Sequence, residues 1–399
     1  MTAHARRARS QIGPIRIGTS LALSGGQAQP GAYTLIGARI AIQQLNENGG
    51  IDGRQVELVV RDNRFSPTDM IGQLRELAGG GINLFMGDTS STMNLAAVPI
   101  IPSLDAVYVV SSTILIEITH DLFNRNCFRA GASSCSQFFG QAKVLADIAP
   151  SAKRWGCLLG DAAGFHFAQQ YLYYGMKKYY GAKGAQIELL DPVLAKIGAP
   201  DFRDQISKLT SQDLDGILVC HAGAEAISFL KQGVPFGLYK NLKAFADLTF
   251  VPDIGSALRK DMPHNYISFC PWYYPAYRQF PMVDDFYKRA VQETKTEIIS
   301  SYLATGHLVV TTLIEGVRNA KSGKTEDVIG AIETMKYPTL FGPMQFRKED
   351  HQLEFNSGYV RLNPDDSNAG WKISEYITVP WQDIMEAASP GKKYELPKT

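Results

Sequence analysis

What this chain lacks narrows its chemistry before any motif is read. No window approaches the ~18 consecutive apolar residues that a membrane-spanning helix requires, so no span is expected. Charge is balanced: 40 Lys and Arg stand against 39 Asp and Glu, a formal net charge of +1. Nothing therefore pulls the protein electrostatically toward nucleic acid or an anionic membrane, and a small neutral or zwitterionic partner fits better. Cysteine is sparse. The five are Cys127, Cys135, Cys157, Cys220 and Cys270, an odd number without CxxC spacing, which argues against zinc. Cys127 and Cys135, eight apart in NCFRAGASSC, are spaced to form a disulfide in an oxidising compartment or to stand as buried thiols. Signatures of catalysis are missing too. GxxxxGK[ST], GxSxG and HExxH do not occur, and the seven histidines show no metal spacing. His166 opens a helix in GDAAGFHF, where a surface or capping role is ordinary. Cys220 and His221 are adjacent on a strand and so point to opposite faces. No catalytic residue, metal or cofactor is expected. Nor does an apolar h-region follow the basic start MTAHARRARS, whose Arg6, Arg7 and Arg9 read as part of a disordered tail over 1–13.

What is present is an alternation. Of the 399 residues, 45% are hydrophobic and 20% charged, enough for two lobes rather than one core. Strand-like runs recur at 15–23, 56–62, 82–87, 107–112, 155–161, 185–193 and 216–222, several of them nearly continuous in apolar residues. Helical segments separate them, beginning with GAYTLIGARIAIQQLNENG and SPTDMIGQLRELAGGG and continuing near 136–148, 164–180, 201–211, 223–233, 281–293, 303–320 and 325–335. Such βαβ alternation predicts parallel sheets with helices on both faces. Two doubly wound units follow, with a late region ending in GPMQF, GYVRLN and WKISEYITV. The partition expected is 14–133 with 268–338 for one lobe and 134–267 with 339–399 for the other. Without a long linker, the chain should cross between them more than once, as a hinge does.

In open parallel sheets, ligands sit beyond the carboxyl ends of the strands. Four such ends are informative. Leu23-Ser24-Gly25-Gly26-Gln27 is glycine-rich but is not GxGxxG, so nucleotide binding is not indicated. Gly87-Asp88-Thr89-Ser90-Ser91-Thr92 is crowded with hydroxyls, more than a helix cap uses, and hydroxyls suit the capture of a carboxylate. Ser111-Ser112-Thr113 repeats that chemistry one strand on. In the other lobe, Asp247 in ADLT is a candidate partner for a ligand ammonium, or a capping or solvated aspartate. Nearby, FCPWYYPAY at 269–277 holds five aromatics, which wall a ligand or seal an interface; Trp272 and Tyr273 are the candidates for contact.

With those residues in view, the chain resembles the type I periplasmic solute-binding proteins of ABC importers, the branched-chain amino-acid (Leu/Ile/Val) binders, from about residue 14 to 380. The opening IRIGTSLALSG, the helix AYTLIGARIAIQQLN and the stretch NENGGIDGRQVELVVRDN carry the likeness, supported by MGDTSSTMNLAAVPII, VYVVSSTILIEIT, AGAEAISFLKQG and FGPMQF. The resemblance implies two doubly wound α/β lobes joined by a three-crossover hinge and closing on a small ligand. It implies that Ser91 and the Ser112-Thr113 turn hold a carboxylate, with Ser90 and Ser111 as neighbours, and that Asp247 meets an α-ammonium. The chain departs from amino-acid binders at Ala162-Ala163-Gly164-Phe165, where a tyrosine is common, and near His221-Ala222-Gly223. With Phe165, Trp272 and Tyr273 shaping the wall, the ligand expected is an amino acid, an aromatic or aliphatic carboxylate, a urea or an amide. The partner implied is an ABC permease in the membrane, with a periplasmic or extracytoplasmic location. A cytoplasmic sensor of the same fold, regulating a partner protein, is the alternative.

Overall fold

The computed structural model describes residues 13–25, 28–221, 223–248 and 252–397, with backbone alone at 223, 224 and 253. The tail expected over 1–13 lies, except for Gly13, outside the described residues, as do Gly26, Gln27, Ala222 and Thr249. The chain divides into two units. The first takes the described residues through Gly131, then Tyr277–Glu354 and Ala388–Tyr394; the second takes Ala132–Ala276, Phe355–Ala387 and the residues from Glu395. Passages between units fall at Gly131/Ala132, Ala276/Tyr277 and Glu354/Phe355, and the C-terminal segment adds a return at Ala388.

The first unit is built on strands β1 (Ile15–Leu21), β2 (Val56–Asp62), β3 (Leu84–Met86), β4 (Val107–Val110) and β5 (Cys127–Arg129), in the order β2-β1-β3-β4-β5. All neighbours are parallel. The VYVV of β4 is buried throughout, as a strand covered on both faces must be. Its Tyr108 and Val110 join Met70, Leu74, Phe85, Met93 and Ile101 in one apolar cluster. The helices Ala28–Glu47 and Ser301–Ala320 meet through glycines. A Cβ on Gly37 would overlap the carbonyl oxygen of Leu303, and one on Gly306 that of Thr34, so only hydrogen lets these backbones approach. The NENGG stretch ends the first helix in left-handed backbone: Gly49 has φ +89° and Gly50 φ +75°. Ile51 and Arg54 then exchange two N–H to O bonds of 2.9 Å, a turn that feeds β2 back beside β1.

The second unit holds β6 (Arg154–Gly160), β7 (Glu188–Leu189), β8 (Val193–Ala195), β9 (Gly216–Cys220), β10 (Ala244–Asp247) and β11 (Tyr266–Phe269). The chain then lends a short hairpin, β12 (Tyr337–Thr339) and β13 (Gly342–Met344), to the first unit, and returns to the second with β14 (Ser357–Pro364) and β15 (Trp371–Val379). The sheet order is β15-β14-β11-β10-β9-β6-β7, with β8 also on β6. Strands β6 to β11 pair in parallel, and β14 and β15 close the far edge antiparallel.

Three local readings are corrected. The run 185–193 is two short strands, because Asp191-Pro192 removes a backbone donor between them. The helix expected from 136 opens with a π-helical turn, Cys135–Phe139, before Gly140–Ile148. No disulfide joins Cys127 to Cys135: both are buried thiols, the first packed in the first unit's apolar cluster from β5, the second opening that π-helical turn in the second unit. Sequence proximity of eight residues says nothing of Cβ separation, which is what a disulfide requires.

Candidate functional site

In the first unit, the winding reverses between β1 and β3, and a crevice at the carboxyl ends of such a pair is where open α/β sheets bind ligands. The loop 87–90 leaves β3 there. Asp88, with no exposed surface, is its anchor. Its Oδ2 accepts from the Ala22 N–H at 2.8 Å and from Asn63 Nδ2 at 2.9 Å, and its Oδ1 accepts from the Ser90 N–H at 2.7 Å. One carboxylate thus ties the ends of β1 and β2 to the start of the helix Ser91–Ala97. Asn94, one turn into that helix, braces the loop from the other side: its Nδ2 donates to the carbonyls of Asp88 (2.7 Å) and Ser90 (3.0 Å), and its Oδ1 accepts from Tyr108 Oη at 2.7 Å.

On this frame the hydroxyls assemble. Thr113 Oγ1 donates to Ser91 Oγ at 3.0 Å, joining the two strand ends that the sequence read separately. Ser111, buried, donates to the Asp88 carbonyl at 3.2 Å. Ser112 lies 3.4 Å from Thr305 Oγ1, so the first turn of helix Ser301–Ala320 borders the rim. Ser90 takes the N-cap position without a side-chain capping bond, and the buried Thr89 hydroxyl has no hydrogen-bond partner. The arrangement offers several hydroxyl donors over a braced backbone. Asp88, Asn63, Asn94, Tyr108 and Thr305 were not singled out from sequence. Asp88 stands inside the quoted GDTSST, but its partners are remote.

The second unit reverses its winding between β6 and β9. Phe165, in the first turn of helix Ala163–Ala182, lies with its ring centroid 5.1 Å from that of His221, which follows β9. Phe202 meets the same imidazole edge-on at 6.2 Å, and Glu225 Oε2 is 3.2 Å from His221 Nε2. Asp247 ends β10 in the interior. Tyr266 Oη donates to its Oδ2 at 2.7 Å, and Ser268 Oγ donates to its Oδ1. Burial pushes its carboxyl up to about 7 despite those hydroxyls. Trp272 is 1% exposed; Tyr273 is half-buried, 5.8 Å from the Tyr376 ring.

A further concavity in the first unit, about 530 Å³, is lined by Gln44, Glu47, Asp285, Arg289 and His307 among others. Its polar groups are paired with one another: Arg289 with Glu47 and Asp285, His307 with Gln44 and Thr311. They offer a ligand little that is unspent.

The family described as periplasmic binding protein matches residues 14–368. The leucine-, isoleucine-, valine-, threonine- and alanine-binding protein of Pseudomonas aeruginosa is 22% identical over 355 residues, 86% of this chain and 88% of that protein. Among solved structures, the protein of the same description from Brucella ovis, in a closed conformation, superposes with a TM-score of 0.79 at 17% identity, covering 97% of this chain and 100% of that one. A solute-binding protein from R. palustris, in complex with benzoate, has a TM-score of 0.74 at 16% identity over 96% of this chain and 100% of that one.

Proposed function

The chain belongs to the periplasmic binding protein family, and from that premise we propose that it is the extracytoplasmic solute-binding component of an ABC importer, trapping a small carboxylate-bearing ligand by closure of its two lobes. The observation that carries this reading is the bonded pair Ser91 and Thr113 beside Ser90, Ser111 and Ser112 at the first unit's switch point. Hydroxyls that donate to an anion form charge-assisted bonds about twice as strong as neutral ones, and a few of them with apolar burial correspond to micromolar affinity, about 8 kcal/mol. The relatives' printed ligands support amino acids, and the benzoate complex supports aromatic acids. Phe165 serves as the aromatic wall of the second unit's rim. A ligand ammonium would be met by Asp247, whose carboxylate oxygens have lone pairs beyond those used by Tyr266 and Ser268. An ABC permease is the partner in the membrane. No described helix is long and apolar enough to cross one.

A thermal-shift screen with L-leucine, L-isoleucine, benzoate, benzamide and urea tests the reading, since a ligand bound only by the native state raises the melting temperature by mass action. Ser91→Ala and Thr113→Ala should each weaken a carboxylate by about 1–3 kcal/mol without unfolding the protein. Unchanged affinity in both variants removes these hydroxyls from the site. X-ray scattering that stays the same with every one of these compounds removes closure. A neutral amide or urea as ligand is favoured by one observation, the buried acid Asp88 beside the hydroxyl rim.

A further inference from the structure

Asp88 lies against the hydroxyl rim of the first unit. Ser90 and Ser111, two of the five hydroxyl residues of the rim, are bonded to it directly, one through its Oδ1 and the other through its main-chain carbonyl. Its carboxylate is satisfied by neutral donors: the backbone N–H groups of Ala22, Thr89 and Ser90 and the Asn63 amide. Among the described residues, no lysine or arginine hydrogen-bonds to it. The nearest arginine in the neighbouring loop, Arg64, gives its guanidinium to Asp69. Arg129, the buried cation at the end of β5, gives its guanidinium to Gln352, the Leu115 carbonyl and Thr119 and does not hydrogen-bond to Asp88. Asp62, at the end of β2, accepts from the Leu23 and Arg64 N–H groups, and Tyr108 donates its hydroxyl to Asn94.

A carboxylate bound on the hydroxyls would therefore stand beside a buried carboxylate to which no cation is bonded. Two such groups sharing a site of low dielectric do not both stay ionised; one of them holds a proton. A neutral amide or urea end meets no such obstacle, since its N–H groups donate where a carboxylate can only accept. We propose that Asp88 sets the charge of the ligand group accepted by the first unit's rim: a neutral amide or urea end enters as it is, whereas a carboxylate enters only with the uptake of one proton, held by Asp88 or shared with the ligand. The inference rests on the reading of this rim as the ligand site. Burial already moves the Asp88 carboxyl above its ordinary range, against the opposing bonds from Asn63, Ser90 and Ala22, so the acid is prepared to take that proton.

The test is calorimetry on the full chain with two matched probes, benzoate and benzamide, from pH 5.5 to 8.5 and in buffers of different ionisation enthalpy. Carboxylate binding by the wild type should take up close to one proton per ligand and weaken by up to about tenfold per pH unit once Asp88 is ionised; benzamide binding should take up none and stay level. Binding of benzamide with no carboxylate bound at any pH would support the inference equally. In Asp88→Asn the carboxylate profile should flatten, with affinity at pH 8.5 at least tenfold above wild type. Carboxylate binding by the wild type without proton uptake overturns the proposal, as does a pH slope that survives in Asp88→Asn. If that variant does not fold, the wild-type proton count decides alone. No binding by any probe at any pH removes the rim as a ligand site, and the inference with it, which is a different result from tight, level carboxylate binding.

Discussion

The two units wind their parallel strands in the same way around a switch point, yet the chemistry at the two switches is opposite. In the first unit, β1 and β3 end in a cradle of hydroxyls knotted together by Asp88 and Asn94. In the second, β6 and β9 end in rings, Phe165 and Phe202 each against His221, and the acid lies further along the sheet, bonded by Tyr266 and Ser268. Topology chooses the place where a ligand can sit, and the side chains after each strand choose what it can be.

That contrast can be broken most forcefully at Asp247. An aspartate whose folded-state value is raised contributes its full stability below pH about 4 and loses it as the pH climbs through about 7. Relative to Asp247→Asn, the wild type should lose up to about 4 kcal/mol of stability across that window, read from melting temperatures at pH 4.5 to 8.5. Parallel profiles would show that the carboxyl is not desolvated as described.

The first unit's frame comes next. Asn94→Ala removes two bonds to the carbonyls of Asp88 and Ser90 and takes the shared acceptor from the Asp88 N–H and the Tyr108 hydroxyl, and should cost about 2–4 kcal/mol in urea unfolding, while Tyr108→Phe, which removes one bond, should cost about 1 kcal/mol. Equal costs would mean that Asn94 does not brace the loop. A double-mutant cycle at Ser91 and Thr113 should show about 0.5–2 kcal/mol of coupling in carboxylate binding, because the two hydroxyls are bonded to each other; strict additivity would argue that they act separately. The smallest effect is expected in the aromatic rim. Phe165→Leu should favour aliphatic over aromatic acids by about 0.5–1.5 kcal/mol, measured as the change in the ratio of their affinities.

Much of the fold was legible because it is written locally. The apolar run of β4 and the Ser66-Pro67 start of a helix announce a doubly wound sheet within a few residues each. The short strands Cys127–Arg129 and Tyr266–Phe269 were not legible, since three or four residues carry no period of their own and are strands only because a neighbour supplies the ladder. The site divides in the same way. Hydroxyl clusters after β3 and β4 could be read as rims, but not that Thr113 reaches Ser91. Nor could the sequence tell that Trp272, one of five aromatics in a short run, is covered while Phe165 faces His221.

Alternating period, turn residues and the glycine-ended first helix determined two parallel-sheet units and the strand ends where polar groups gather. Tertiary structure alone decided what those groups do. The Asp88 carboxylate draws its donors from residues 66 and 25 positions away as well as from its own loop, and whether a charge is buried, bonded or available depends on partners brought together by folding, which no local pattern encodes.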